Sequence, residues 1–126
     1  MARWVVHSRA AFEARHALAS YFGKPEETHS HRWDVAIRVG SEQLNEEGYA
    51  LDFHQVHTAL EETITPLDGT DLNQHPDIGL PSPTAERVAD VLSTILQPRI
   101  EALGGTLLSV SVWEGPMNRV DLNLEE

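Results

Sequence analysis

With 126 residues, the chain has the length of one compact domain, since domains most often run to about 100–150 residues. Hydrophobic residues make up 40% of it, enough to bury a core and unlike the depleted composition of a disordered chain. A formal net charge of -11 argues against nucleic-acid and membrane partners, and the absence of cysteine removes disulfides, thiolate ligands and thiol nucleophiles, so any metal must rest on His, Asp or Glu.

No apolar run approaches the roughly 20 residues that span a bilayer, and the N-terminus lacks the regions of a signal peptide, so a cytoplasmic protein is expected. From Trp4 to His16 the even positions read Trp4, Val6, Ser8, Ala10, Phe12, Ala14 and His16, while His7, Arg9, Glu13 and Arg15 occupy odd ones. This period of two predicts a strand with one buried face. A polar connection containing Gly23, Lys24, Pro25, Glu26 and Glu27 follows. The alternation then returns on odd positions, with His29, His31, Trp33, Val35, Ile37 and Val39 opposed to Arg32, Asp34, Ala36 and Arg38, which predicts a second strand.

After a turn at Asn45–Gly48, Tyr49 to Leu51 reads as a short strand leading into a helix capped by Asp52, with Gln55 placed to complete a capping box. Phe53, Val56, Leu60 and Ile64 recur at helical spacing. Pro66 to Pro83 is rich in Asp, Gly, Asn and Pro and reads as a long ordered loop, a kind of segment that is often functional. Ser82-Pro83 marks a second helix start, with Val88, Val91, Leu92, Ile95 and Leu96 as its apolar stripe, Pro98 as a kink or an end, and Gly104-Gly105 closing it. Leu108, Val110, Val112 and Glu114 share one face of a third strand, and Val120, Leu122 and Leu124 alternate in a last one. The order strand, strand, helix, helix, strand, strand predicts a single α+β domain over residues 1–126, a four-stranded antiparallel sheet with both helices on one face.

Three histidines lie on the apolar faces of neighbouring strands. His29 and His31 leave the same face with Cα atoms roughly 6.6 Å apart, and a hairpin pairing brings His16 opposite them. Three neutral imidazoles at about 2.0–2.1 Å, with a fourth position open, describe a catalytic zinc site. His7, His54, His57 and His75 fall on an exposed strand face, the helix surface or the loop and read as ordinary histidines. Glu114 continues an apolar face, where an ionised carboxylate needs a partner; a ligand with two adjacent N–H donors, such as the 2-amino group and N3 of a pterin, suits it. If the strand instead ends before Gly115, Glu114 points into water, and the pattern leaves both open.

These residues resemble the 6-pyruvoyl-tetrahydropterin synthases and the related queuosine-pathway 6-carboxytetrahydropterin synthases. Phe12 to Leu18 (FEARHAL) is similar to the family's first-strand His motif, His29-Ser30-His31 to its His-Gly-His, and Gly48 to Phe53 (GYALDF) to its Gly-x-x-x-Asp-Phe. Leu67-Asp68 through Leu72-Asn73, Pro83-Thr84-Ala85-Glu86 and Val112 to Glu114 follow in the family's order, over nearly the whole chain. The resemblance implies the tunnelling fold, a homo-oligomer built as a hexamer with active sites between subunits, zinc on His16, His29 and His31, Glu114 as the pterin anchor, and Thr84 and Glu86 beside it.

Two departures bear on activity. The family's catalytic Cys before His-x-His is absent, and Asp68 is followed by Gly69 where the family has His. One branch replaces the Cys by a Glu three residues before the first His and cleaves dihydroneopterin triphosphate to 6-hydroxymethyl-dihydropterin; Glu26-Glu27-Thr28-His29 fits that spacing. The expected activity is therefore a zinc-dependent pterin lyase with Glu26 as base and Asp68 assisting. The alternative is a paralogue that binds zinc and a pterin without the standard synthase activity. Lys24, Arg15 and Arg119 are the candidate partners for the triphosphate.

Overall fold

A computed structural model describes residues 2–124. Its elements are β1 (Trp4–His16), β2 (His29–Ser41), α1 (Phe53–Ile64), β3 (Thr70–Asp71), α2 (Ala85–Ala102), β4 (Thr106–Glu114) and β5 (Asn118–Asn123). They form one sheet in the order β3-β1-β2-β4-β5, antiparallel except where β3 runs beside β1 at Ala14 and Arg15. The fold is α+β, as expected, with five strands rather than four. A two-residue strand carries no periodicity, so β3 is hidden within the long loop; Gly69 N–H donates to Glu13 O at 2.7 Å and fastens it.

Both helices cover the face bearing the even residues of β1 and the odd residues of β2. Phe12, Trp33, Val35, Ile37 and Val39 are buried there against Val56, Leu60, Ile64, Val88, Leu92, Leu96 and Ile100. Apart from Phe53 and Ile95, which stay exposed, the hydrophobic spacing read from the helices is met by a matching face of the sheet, which supplies most of a helix's stability in a folded chain. No helix among the described residues is long and apolar enough to cross a membrane.

Several local expectations change. Tyr49 to Leu51 is not a strand but a bend entering α1. Asp52 caps α1 by accepting from the His54 N–H at 2.8 Å, one amide earlier than a capping box uses, and Gln55 makes no return bond among the described residues. Helix α2 begins at Ala85 with Thr84 as its cap, rather than at Ser82-Pro83. It also runs through Pro98 to Ala102: the proline removes one N–H, but Leu96 and Ile100 on either side of it are fully buried and hold the turn against the sheet. In β4 a bulge falls opposite Arg38/Val39, so Val39 pairs with Leu107 while Arg38 pairs with Ser109. Leu107 therefore joins the core face in place of Leu108, which packs beside Gly40, where an added Cβ would approach the Leu108 methyls at 3.1 and 3.3 Å.

Leu60 is fully buried between α1 and the sheet. Leu60→Ala should cost about 2–5 kcal/mol, read as a lower urea midpoint with an unchanged slope.

Candidate metal and ligand site

The hairpin register sets the site. His16 pairs directly with His29 and Ala14 with His31, while Trp33 pairs with Glu114 across the β2/β4 ladder. Three imidazoles and one carboxylate consequently rise from one end of the same sheet face. The ligand atoms of His16, His29, His31 and Glu114 all lie within 4.8 Å of one another. The strand does end at Glu114, before Gly115, yet its partly exposed carboxylate turns toward the rings rather than away into water.

The rings are oriented by partners that hydrophobic patterning does not reveal. His16 Nδ1–H donates to the Pro83 carbonyl at 2.9 Å, and His29 Nδ1–H donates to the Glu27 carbonyl at 3.0 Å. Each bond fixes a tautomer and leaves Nε2 as the lone-pair nitrogen, the arrangement found around metal-ligating histidines. Trp33 forms the floor: its indole N–H donates to Ala14 O at 3.2 Å and its ring meets His16 edge-on at 4.9 Å. Asn73 grips the residue after His16 at both ends, with Oδ1 accepting from Ala17 N–H and Nδ2 donating to Ala17 O, each at 2.8 Å. Asn73 is held in turn by Asp71, and Gly79 closes the same loop where any Cβ would collide with the Asn73 and His75 carbonyls.

His16 Nε2 is fully buried and has no directed hydrogen-bond partner among the described residues. Glu114 Oε1 lies 2.7 Å from it, a contact that favours a proton on the ring. A buried imidazole nitrogen left in this way, two neighbours of the same type and a carboxylate make a donor set of nitrogen and oxygen that suits zinc. The residues present fit that ion.

Burial pulls the His16 pKa down, but Glu114 and the Pro83 carbonyl together outweigh it and hold the value above the usual 6.5. His31 moves the other way, lowered first by burial and then by the neighbouring His29. The Glu114 carboxyl is held below 4.5 chiefly by His16, against the opposing effect of burial.

The remaining expected site residues are placed less directly. Glu26 lies on the rim: its Oε1 accepts from Leu18 N–H at 3.0 Å, its own N–H donates to Leu18 O at 3.1 Å, and the carboxylate is 3.8 Å from His29 Nδ1. Thr84 follows Pro83 and its hydroxyl accepts from the Arg87 N–H at 3.1 Å; Glu86 is exposed in the first turn of α2, with no hydrogen bond or ion pair among the described residues. Asp68 is not brought to the cluster, for its Oδ1 accepts from Glu13 N–H at 2.9 Å on the outer edge of β1. Arg15 and Arg119 project from the face opposite the imidazoles, the first by parity with His16 and the second through its pairing with Trp113. Arg119 is engaged there with Asp121 at 3.0 Å, so of the three candidate phosphate partners only Lys24 stays on the loop beside the site.

In metal-free protein, ring-proton NMR should show His16 titrating above and His31 below the ordinary imidazole range. Glu114→Gln should move the His16 midpoint downward, because burial is then less opposed. The sign for stability follows: His16 stabilises the metal-free fold below its unfolded pKa and loses that contribution as pH rises through the folded value. Thermal melts of Glu114→Gln should therefore lose more at pH 6 than at pH 8.5.

Residues 5–125 match the family described as 6-pyruvoyl tetrahydropterin synthase. No protein of curated function matches the sequence. Among solved structures, the 6-pyruvoyl tetrahydropterin synthase of Caenorhabditis elegans superposes with a TM-score of 0.81 at 18% identity, covering 97% of this chain and 96% of that one. An uncharacterized protein from Wolinella succinogenes gives 0.80 at 18% identity, covering 97% and 98%. A catalytic-residue mutant of the Plasmodium vivax 6-pyruvoyltetrahydropterin synthase, with a glutamate changed to alanine, gives 0.72 at 14% identity, covering 96% and 99%. At these identities the superpositions speak for the fold, and the family match over residues 5–125 carries the conclusion that the chain belongs to the 6-pyruvoyl tetrahydropterin synthase family.

Proposed function

We propose that the protein is a zinc-dependent pterin lyase acting on dihydroneopterin triphosphate or a near relative, with Glu26 as the general base. The observation that carries this reading is the placement of Glu26. In a chain without cysteine, its carboxylate is fixed by the Leu18 amide and stands 3.8 Å from His29, on the rim of the three-imidazole cluster. The Plasmodium vivax structure, whose mutated catalytic residue is a glutamate, supports a carboxylate in such a role.

His16, His29 and His31 would hold the zinc. When bound, it lowers the pKa of hydroxyls on the substrate side chain. Glu26 then takes a proton from that side chain, within reach because the Leu18 clasp keeps it from swinging into solvent. Glu114 receives the pterin ring through the 2-amino group and N3, with Thr84 and Glu86 flanking it at the start of α2. Pro83 and Glu27 keep the imidazoles oriented throughout. Asp68, fastened to Glu13 in its own chain, would assist from a second copy, since the open edges of β1 and β5 allow copies to join sheet to sheet as in a hexamer.

The alternative, a paralogue that binds zinc and a pterin without turnover, draws on Gly69 standing where the relay His is expected. Incubation of zinc-loaded protein with dihydroneopterin triphosphate distinguishes the two. A new pterin should form, and Glu26→Gln should reduce kcat by about 10²–10⁴ with zinc content unchanged. Full activity in Glu26→Gln would remove Glu26 from the mechanism; pterin binding by calorimetry with no product would establish the paralogue.

A further inference from the structure

The position of one carboxylate oxygen carries a second conclusion. Glu114 Oε1 lies 2.7 Å from His16 Nε2, 3.3 Å from His31 Nε2 and 3.9 Å from His29 Nε2, so a single atom faces all three candidate ligand nitrogens. Tetrahedral zinc with arms of about 2.0–2.1 Å has ligand-to-ligand edges of roughly 3.3–3.4 Å. The three measured separations bracket that edge. The oxygen is therefore close enough to all three imidazoles to share a cation that they would hold.

A carboxylate whose role was confined to gripping a ring across the cavity would have no need to approach the imidazoles so closely. Glu114 is the final residue of β4, its backbone paired with Trp33 on one side and Asn118 on the other, so any movement lies in the side chain. It is also partly exposed, at 31%, whereas His16 is 1% exposed. The imidazole nearest to it is locked and the carboxylate has room to move. We infer that Glu114 is a displaceable fourth ligand: it completes a site of three imidazoles and one carboxylate in the resting protein, and leaves to receive the pterin ring.

This rests on the reading of Glu114 as ring anchor and adds an order of events to it. With a cation held by His16, His29 and His31, Glu114 would give up its position to a substrate side-chain hydroxyl, and the freed carboxylate would accept the two ring N–H groups. No electron is transferred and no proton is lost in the exchange. Ring recognition and opening of the metal thereby become one movement, which protects the resting site from binding stray oxygen ligands.

The test uses cobalt(II) in place of zinc, since its visible bands are intense in four-coordinate sites and weak when water raises the coordination number. Wild-type protein should give the intense spectrum. Glu114→Gln and Glu114→Asp should both weaken cobalt affinity by about 10–100-fold or more, the loss of an outer-shell partner setting the lower bound, and both should give weaker bands. The aspartate variant separates ligation from mere charge, because it keeps the charge and loses the reach. Unsubstituted pterin, which has no side-chain hydroxyl, should shift the wild-type spectrum toward that of the variants.

Equal affinity and equal spectra in wild type and Glu114→Gln would overturn the proposal, as would a Glu114→Asp variant indistinguishable from wild type. Pterin binding seen by calorimetry with no spectral change would overturn the displacement. Since these readouts use metal and pterin without turnover, a failure of the lyase reading leaves them intact, and their failure leaves Glu26 untouched.

Discussion

The site depends on one pairing: His16 opposite His29 in the β1/β2 hairpin. Because strand side chains alternate with a period of two, that register decides the face of every residue in both strands, and a slip of one would send all three imidazoles to the opposite side. The core enforces the register. Trp33, two residues beyond His31 on the same face, is completely buried, stacks near Phe12 with centroids 6.0 Å apart, and closes the floor under His16. The packing that stabilises the sheet is thus the packing that aims the ligands.

Around that pairing, the site is tightened by groups remote in sequence. Pro83 contributes a carbonyl and Asn73 a bidentate grip on Ala17, both from the segment between α1 and α2. Ser82 adds a third tie by accepting from Ala19 N–H at 3.0 Å. These bonds connect the loop directly to the end of β1, so the segment that resembles a passive connection behaves as a brace. Such groups matter because an imidazole binds metal well only if the other ring nitrogen is satisfied and the ring is held in one orientation.

The face of each histidine and of Glu114 is legible in the sequence because the side a residue takes follows the strand period, whether it is buried or turned into the site. Val110 and Val112 point to the face that Glu114 shares, and the structure keeps it there. Leu108 falls off that face because a bulge interrupts the period without leaving a mark in composition. Thr84 rather than Ser82 caps α2 because both are good capping residues and only the tertiary pull on Ser82 toward Ala19 decides between them. The Pro83 and Glu27 carbonyls cannot be read from sequence at all, since backbone acceptors are present at every residue. Asn73 carries a faint signal, as a polar side chain in a segment rich in turn formers, but its partner 56 positions away is a product of the fold.

Charge unifies the site with the acidity of the chain. Two carboxylates, Glu26 and Glu114, and three imidazoles gather at one strand end, while Arg15 and Arg119 are sent by parity to the other face. With neutral imidazoles such a pocket carries two negative charges, which is costly in a partly dry setting. Without metal, the pull of Glu114 on His16 offsets part of that charge by favouring a proton on the ring, against its burial. A divalent cation would neutralise both carboxylates at once and leave a cavity of no net charge. Such a cavity would suit an uncharged flat heterocycle rich in N–H donors better than a phosphate group. For the substrate proposed, the phosphates would then lie outward, toward Lys24 on the exposed turn, with the ring drawn in and the anionic tail kept at the mouth.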